Sequence, residues 1–133
     1  MANILLVEDE SLVSETLSSA MKSKGHTVVV AVNGVEGMKK FTEGRFDLVV
    51  TDIIMPDKEG IGLIMEMRRE APNVKIVAIS GGGRTGNVEF LKMAHDLGAM
   101  ATLKKPIRLA EFFAVLSECL SEGPGTTKVF LQG

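Results

Sequence analysis

The sequence predicts an α/β domain, in which a doubly wound parallel sheet of five strands carries helices on both faces. Two features of the 133-residue chain predict this fold class. Short apolar segments alternate five times with segments in which apolar residues recur at helical spacing. The short segments are also apolar almost throughout, which is typical of strands that are buried on both faces. The alternation therefore favours a parallel sheet built from right-handed crossovers.

The predicted strands are short, and β-branched residues recur in the first four. They cover residues 3–7, 27–32, 47–50, 75–80 and 100–103, and the last of them has the weakest pattern. The third apolar run continues through Thr51 into Asp52, so this strand would end on a carboxylate. An ionised carboxylate at the end of a buried strand is costly unless another group balances its charge.

Helices are predicted between these strands and after the last one. They begin near Ser11, Asn33, Ile61, Gly86 and Leu109. Gly25, Gly44 and Pro72 supply stop signals for the first three helices. Cys119 lies in the apolar stripe of the last helix, and we expect its thiol to be buried as a packing group.

Composition and charge argue against several classes of function. The formal net charge is −2 and the basic residues are scattered, so direct nucleic-acid binding by this domain has little electrostatic support. The longest apolar runs are strand-sized, so we expect no membrane association. The single cysteine excludes an internal disulfide, and no cationic segment precedes the first apolar run. These features predict a cytoplasmic protein.

The last residues differ in composition from the rest of the chain. Residues 122–133 are rich in Gly and Thr and contain a Pro, which predicts a flexible C-terminal tail or a linker. The folded domain is therefore predicted to cover residues 1–121.

Polar residues follow the strands at the edge where a parallel sheet binds its ligands. Glu8 and Asp9 follow the first strand, Asp52 ends the third, Ser80 ends the fourth, and Lys105 comes after the fifth. Ligands of such sheets bind outside the carboxyl ends of the strands. Converging carboxylates repel one another, and a divalent cation relieves that repulsion. Because the ligands are oxygen atoms only, we expect Mg²⁺ or Mn²⁺.

These residue types suit phosphoryl transfer to a carboxylate. Aspartate is a covalent nucleophile in such reactions, and the remaining groups position and neutralise the phosphoryl group. Asp52 would attack, Lys105 would pair with a phosphoryl oxygen, and the Ser80 hydroxyl would donate a hydrogen bond to another.

Four segments in order, "LLVEDE", "DLVVTDIIMPDKEG", "AIS" and "KKP", resemble the receiver domains of response regulators in two-component signalling. The resemblance covers residues 3 to about 121. It implies a flavodoxin-like sheet of order 2-1-3-4-5, as in the chemotaxis regulators. It also implies that a sensor histidine kinase or a histidine phosphotransfer protein supplies the phosphoryl group. Phosphorylation would then change the affinity for a downstream effector protein or domain.

The same resemblance assigns roles to individual residues. Asp9 and Asp52 would bind Mg²⁺ directly, Glu8 would act through water, and the backbone carbonyl of Ile54 would complete the metal shell. The peptide bond between Lys105 and Pro106 is expected to be cis.

The chain departs from the family pattern in two places. Thr102 stands where the family usually carries Tyr or Phe, and a glycine-rich loop, which includes Gly81, Gly82 and Gly83, follows Ser80. Thr has too little surface to act as the usual aromatic switch. We therefore expect output switching to depend on the loop.

Two alternatives remain open. A haloacid-dehalogenase-like phosphohydrolase also attacks with a strand-end Asp, but it needs a second Asp where Ile54 stands. A phosphorylation-independent interaction module would not need the complete set of acidic, hydroxyl and lysine residues. The leading interpretation is a phosphoacceptor domain, which catalyses only its own phosphorylation and dephosphorylation and is otherwise not an enzyme.

Overall fold

The computed structural model describes residues 1–53, 60–80, 92 and 94–121, together with the backbone of residues 130–131. The strands are β1 Asn3–Val7, β2 Thr27–Ala31, β3 Leu48–Asp52, β4 Ile76–Ser80, β5 Ala101–Lys104 and β6 Phe130–Leu131. The helices are α1 Ser11–Ser23, α2 Gly34–Glu43, α3 Gly60–Glu70 and α4 Leu109–Ser121. Within the helix predicted over 86–98, the described residues 92 and 94–96 are helical.

All strand pairs are parallel, and the sheet order is β2-β1-β3-β4-β5-β6. The first five strands therefore have the order 2-1-3-4-5 that the resemblance implies. The two-residue strand β6 was not predicted, and it pairs with β5 at the edge of the sheet. Most of the predicted tail lies outside the described residues, so its flexibility stays a prediction.

The core consists of two apolar layers, one on each face of the sheet. Along β1, Ile4 and Leu6 face the layer formed with α1 and α4, whereas Leu5 and Val7 face the layer that contains α3 residues. All four side chains are fully buried. This two-sided burial explains why the strands are apolar at successive positions rather than at alternate ones. Cys119 is buried in the first layer, as predicted.

None of the helices in the described part of the chain combines the length and apolarity that crossing a bilayer would require.

Candidate functional site

The strand ends of this sheet converge at one edge. Asp52 on β3 lies opposite Ile79 of β4, and Ser80 lies opposite Lys104 of β5. The backbone N–H of Lys105 donates to the carbonyl of Ser80 at 2.9 Å, which continues the ladder one residue past β5. The parallel register thus brings the carboxylate, the hydroxyl and the lysine predicted from sequence to the same edge.

Lys105 lies at the centre of the site. Its Nζ lies 2.9 Å from Asp52 Oδ2 and 2.6 Å from Glu10 Oε1. Glu8 lies slightly farther away, with Oε1 at 3.0 Å and Oε2 at 3.1 Å from the same nitrogen. The side chains of Lys105, Glu8 and Asp52 are 11%, 0% and 3% exposed, whereas that of Glu10 is 61% exposed. One ammonium group therefore balances three carboxylates, two of which are buried.

The electrostatics of the site follow from burial and this excess of negative charge. Burial raises the pKa of Glu8 to about 7, and the charge of Asp52 adds to the effect, while the Glu10 backbone N–H and Lys105 oppose it. Burial lowers the pKa of Lys105, but hydrogen bonds with Glu10 and Asp52 outweigh it and the net shift is upward. Lys105 therefore stays charged, and the cluster still lacks positive charge.

The donor atoms fit a hard divalent cation. Glu8, Glu10 and Asp52 each offer an oxygen within 4.8 Å of the others. Glu8 Oε1 is buried and accepts no hydrogen bond with adequate geometry, although it lies within 3.0 Å of Lys105 Nζ. A buried carboxylate oxygen without a hydrogen bond raises the free energy of the folded state, and coordination to a metal ion would compensate it. Oxygen-only ligands with an uncompensated negative charge favour Mg²⁺.

Only some of the predicted metal ligands lie close together in the structure. Glu8 and Asp52 are brought together, whereas Asp9 is exposed and lies outside the group of three carboxylates. Whether Asp9 binds the metal stays a prediction. The carbonyl of Ile54 lies outside the described residues, and so do Gly81, Gly82 and Gly83.

Glu10 is the residue that the sequence analysis missed. Its backbone N–H donates to Glu8 Oε2 at 3.0 Å, and this short turn places both side chains beside Lys105. The sequence feature that could have indicated Glu10 is the run "EDE", in which three acidic residues in succession follow an apolar strand. The run by itself does not say which of them turn inward.

Ser80 and Thr102 are both buried, at 0% and 1% exposure. Ser80 ends β4 at the site, as predicted, but its contact with a phosphoryl group stays a prediction. Thr102 lies within β5, paired opposite Ala78. The bond between Lys105 and Pro106 is cis.

Gly60 fixes the backbone that leaves β3. Its N–H donates to the carbonyl of Ile53 at 3.1 Å. A Cβ at this position would lie 2.2 Å from the Ile53 Cα and 2.3 Å from the Asp52 carbonyl oxygen. No side chain fits there, so the glycine of the "MPDKEG" segment allows α3 to begin directly against the strand that carries Asp52.

Known proteins share both the sequence pattern and this fold. The family model of the response regulator receiver domain matches residues 4–117. The sensor kinase CckA of Brucella abortus (strain 2308) is 33% identical over 123 residues, which cover 91% of this chain and 13% of the kinase. The chain spans about half or less of the length of the curated relatives that it matches.

Two solved structures illustrate the likeness. A response regulator receiver domain protein from Clostridium thermocellum has a TM-score of 0.83 at 25% identity, over 91% of this chain and 95% of that chain. The response regulator protein TrrA from Thermotoga maritima, in complex with Mg(2+)-BeF, has a TM-score of 0.77 at 27% identity, over 90% and 99% of the two chains. Because the family model covers most of the sequence and the sheet has the same architecture, this chain belongs to the response regulator receiver domain family.

Proposed function

We propose that this domain accepts a phosphoryl group on Asp52 in a Mg²⁺-dependent reaction and then changes its affinity for an effector protein or domain. The observation that carries the proposal is the environment of Asp52. Its side chain is 3% exposed, it ends a central strand, and its Oδ2 lies 2.9 Å from Lys105 Nζ. A buried aspartate that is paired with a lysine and crowded by other carboxylates suits a nucleophile that works with a metal ion.

The chemistry assigns a role to each side chain. A carboxylate oxygen of Asp52 forms a bond to phosphorus while the bond from phosphorus to the donor histidine breaks, and the histidine nitrogen keeps that electron pair. Asp9 and Asp52 would hold Mg²⁺ directly, Glu8 would act through water, and the Ile54 carbonyl would complete the metal shell. The ion, when bound, neutralises the phosphoryl oxygens.

Two other groups would bind the transferred phosphoryl group. The Lys105 ammonium would pair with one of its oxygens, and the Ser80 hydroxyl would donate a hydrogen bond to another. Ser80 and Lys105 lie at the edge of the sheet where Asp52 ends its strand. Catalysis of this kind is mainly positioning and charge neutralisation, which a rigid sheet edge supplies.

The relatives indicate which partners suit this chemistry. CckA is a sensor kinase, and TrrA is a response regulator that was crystallised with Mg(2+)-BeF. By likeness, the phosphoryl donor is a phosphohistidine on a sensor histidine kinase or on a histidine phosphotransfer protein, in the cytoplasm. With a formal net charge of −2, a protein surface suits the output better than a nucleic acid.

Intact mass after incubation with acetyl phosphate and Mg²⁺ tests the proposal. We expect one added phosphoryl group on the wild type and none on Asp52→Asn, because an amide is a poor nucleophile. Asp96→Asn is the matched control, since the Asp96 side chain is 64% exposed and lies outside the acidic group.

Other outcomes identify the alternatives. Turnover of acetyl phosphate that continues without accumulation of a phosphorylated species would indicate a phosphohydrolase. No reaction at all would indicate an interaction module. Full labelling of Asp52→Asn would exclude Asp52 as the acceptor.

A further inference from the structure

The side chain of Glu10 has an unusual place for a residue at the start of a helix. Glu10 is the N-cap of α1, yet its side chain makes no capping hydrogen bond. Ser, Thr, Asp or Asn at this position ordinarily accepts from an N–H of the first turn, and Glu is not among these preferred residues. Glu10 Oε1 instead accepts from Lys105 Nζ at 2.6 Å, the shortest of the contacts between this lysine and the three carboxylates.

The backbone of Glu10 is held independently of this contact. Its N–H donates to Glu8 Oε2 at 3.0 Å, and its carbonyl accepts from the Ser14 N–H at 3.0 Å. The Glu10 side chain is 61% exposed, whereas those of Glu8 and Asp52 are 0% and 3% exposed. Water can therefore replace the lysine at Glu10 at little cost, while the other two carboxylates would lose a partner without gaining solvent.

The donors of Lys105 are fully used by these contacts. An ammonium group has three N–H donors, and here Glu8, Glu10 and Asp52 all accept from it. A phosphoryl oxygen can accept from the same nitrogen only when one carboxylate gives up its bond. Of the three carboxylates, Glu10 loses least by giving up this bond, because its side chain is the most exposed to water.

We propose that Glu10 is a positioning residue that holds Lys105 before phosphorylation and releases it to the phosphoryl group. The inference rests on the proposed function and adds a residue that competes with the phosphoryl group for the same cation. Because the Glu10 side of this ion pair is exposed to water, its removal should change binding of a phosphoryl mimic only about two- to fivefold.

Binding of beryllofluoride at saturating Mg²⁺ tests the release step, followed by ¹⁹F NMR or calorimetry. We expect Glu10→Gln to bind beryllofluoride about two- to fivefold more tightly than the wild type. Glu15→Gln is the matched control, because Glu15 is an exposed acid on the same helix and lies outside the acidic group around Lys105. Loss of one negative charge there should leave the affinity unchanged.

A double-mutant cycle with Lys105→Met separates release of the lysine from simple charge repulsion. If Glu10 acts through Lys105, the gain from Glu10→Gln disappears in the Lys105→Met background. An equal gain in both backgrounds would mean that Glu10 only repels the anion, and it would overturn the positioning role. A tenfold or larger loss of Mg²⁺ affinity in Glu10→Gln would make Glu10 a metal ligand instead, which also overturns it.

Amine labelling reports the ion pair without any phosphoryl chemistry. With an amine-reactive ester and peptide mass spectrometry, we expect Lys105 to react more slowly than its exposed neighbour Lys104 in the wild type. Glu10→Gln should raise the Lys105 rate about two- to fivefold relative to Lys104. An unchanged ratio would overturn the inference.

The two readouts distinguish this inference from the proposed function. If the wild type binds no beryllofluoride, the phosphoacceptor function fails, and the release step fails with it even when labelling shows the ion pair. If the wild type binds and Glu10→Gln binds equally well, only the role of Glu10 is overturned.

Discussion

Each end of the sheet holds a partly buried cation, but the hydrogen-bond acceptors differ: they are carboxylates at one end and backbone carbonyls at the other. At the carboxyl ends of the strands, three carboxylates surround Lys105. At the amino ends, Arg68 of α3 donates four hydrogen bonds to backbone carbonyl oxygens at 2.7–3.2 Å. These carbonyls belong to Pro72, Val74, Leu97 and Gly98, in the segments that enter β4 and β5.

The pKa shifts reflect this difference. Burial lowers the pKa of Arg68, whereas carboxylate hydrogen bonds raise the pKa of Lys105 despite its burial. At the Arg68 end, neutral carbonyl dipoles solvate a single positive charge, which would repel a metal ion. The Lys105 end keeps an excess of negative charge, so it is suited to a metal ion. In this protein the crowded, charged partners of Lys105, rather than burial alone, distinguish the candidate site from the Arg68 end.

Replacement of Arg68 should have the largest effect on stability. Arg68→Ala removes four hydrogen bonds that hold two segments, and we expect the free energy of unfolding to fall by about 3 kcal/mol. The exposed neighbour Arg69 gives the matched control, since Arg69→Ala should change the free energy of unfolding by less than about 0.5 kcal/mol. Urea unfolding measures both.

Arg68→Ala should nevertheless leave the increment of stability that Mg²⁺ provides unchanged. If this variant loses its response to Mg²⁺, the two ends of the sheet are not independent and the comparison fails.

Mg²⁺ should produce the next largest effect, this time through the Lys105 end. At a free concentration 100 times its dissociation constant, a ligand that binds only the folded state stabilises it by about 2.7 kcal/mol. We expect most of this gain to be absent in Asp9→Ala and Asp52→Asn, and retained in Glu10→Gln. The chain contains no Trp or Tyr, so calorimetry or an external dye must follow unfolding.

A melting temperature that stays constant across millimolar Mg²⁺ would count against the metal site. A full response in Asp9→Ala would instead remove Asp9 from the ligands, in agreement with its exposed position.

The pH dependence of stability should come from Glu8. Its pKa is raised from 4.5 to about 7 in the folded protein, so folding takes up a proton between these values. The contribution of Glu8 is therefore fully present below about pH 4.5 and is lost as the pH rises through 7. Urea unfolding without metal should show this slope, and Glu8→Gln should remove it.

Saturating Mg²⁺ should also weaken the slope, because the ion and the proton compete for the same carboxylate. A slope of the same size in Glu8→Gln would assign the titration to another group.

Much of this fold follows from sequence pattern, because burial on both faces forces apolar residues into successive strand positions. Apolarity alone does not decide burial, because Leu12 precedes the buried Leu17 by five residues and so lies about 140° round the helix from it. Leu12 is 77% exposed. The strand β6 has no comparable signal, since two residues are too few for a pattern.

The site residues were predictable where a polar residue follows an apolar strand, as at Asp52, Ser80 and Lys105. Glu10 was not, because only the turn that binds its N–H to Glu8 decides which acid of the run faces Lys105. Arg68 was not predictable either, since its partners are backbone carbonyls, which every residue has.

The smallest expected effect concerns output. Thr102 is 1% exposed within β5, and it lacks the 150–250 Å² that an aromatic side chain can bury or expose. The loop that follows Ser80 lies outside the described residues, but its glycines allow many backbone conformations, which contact between Ser80 and a phosphoryl oxygen would restrict. We therefore expect amide exchange across residues 80–86 to slow when beryllofluoride and Mg²⁺ are added to the wild type, while the amide of Thr102 changes little. Asp52→Asn under the same conditions is the control and should show no change. If the loop exchanges equally fast in both states and the changes centre on Thr102, switching in this protein runs through β5 instead.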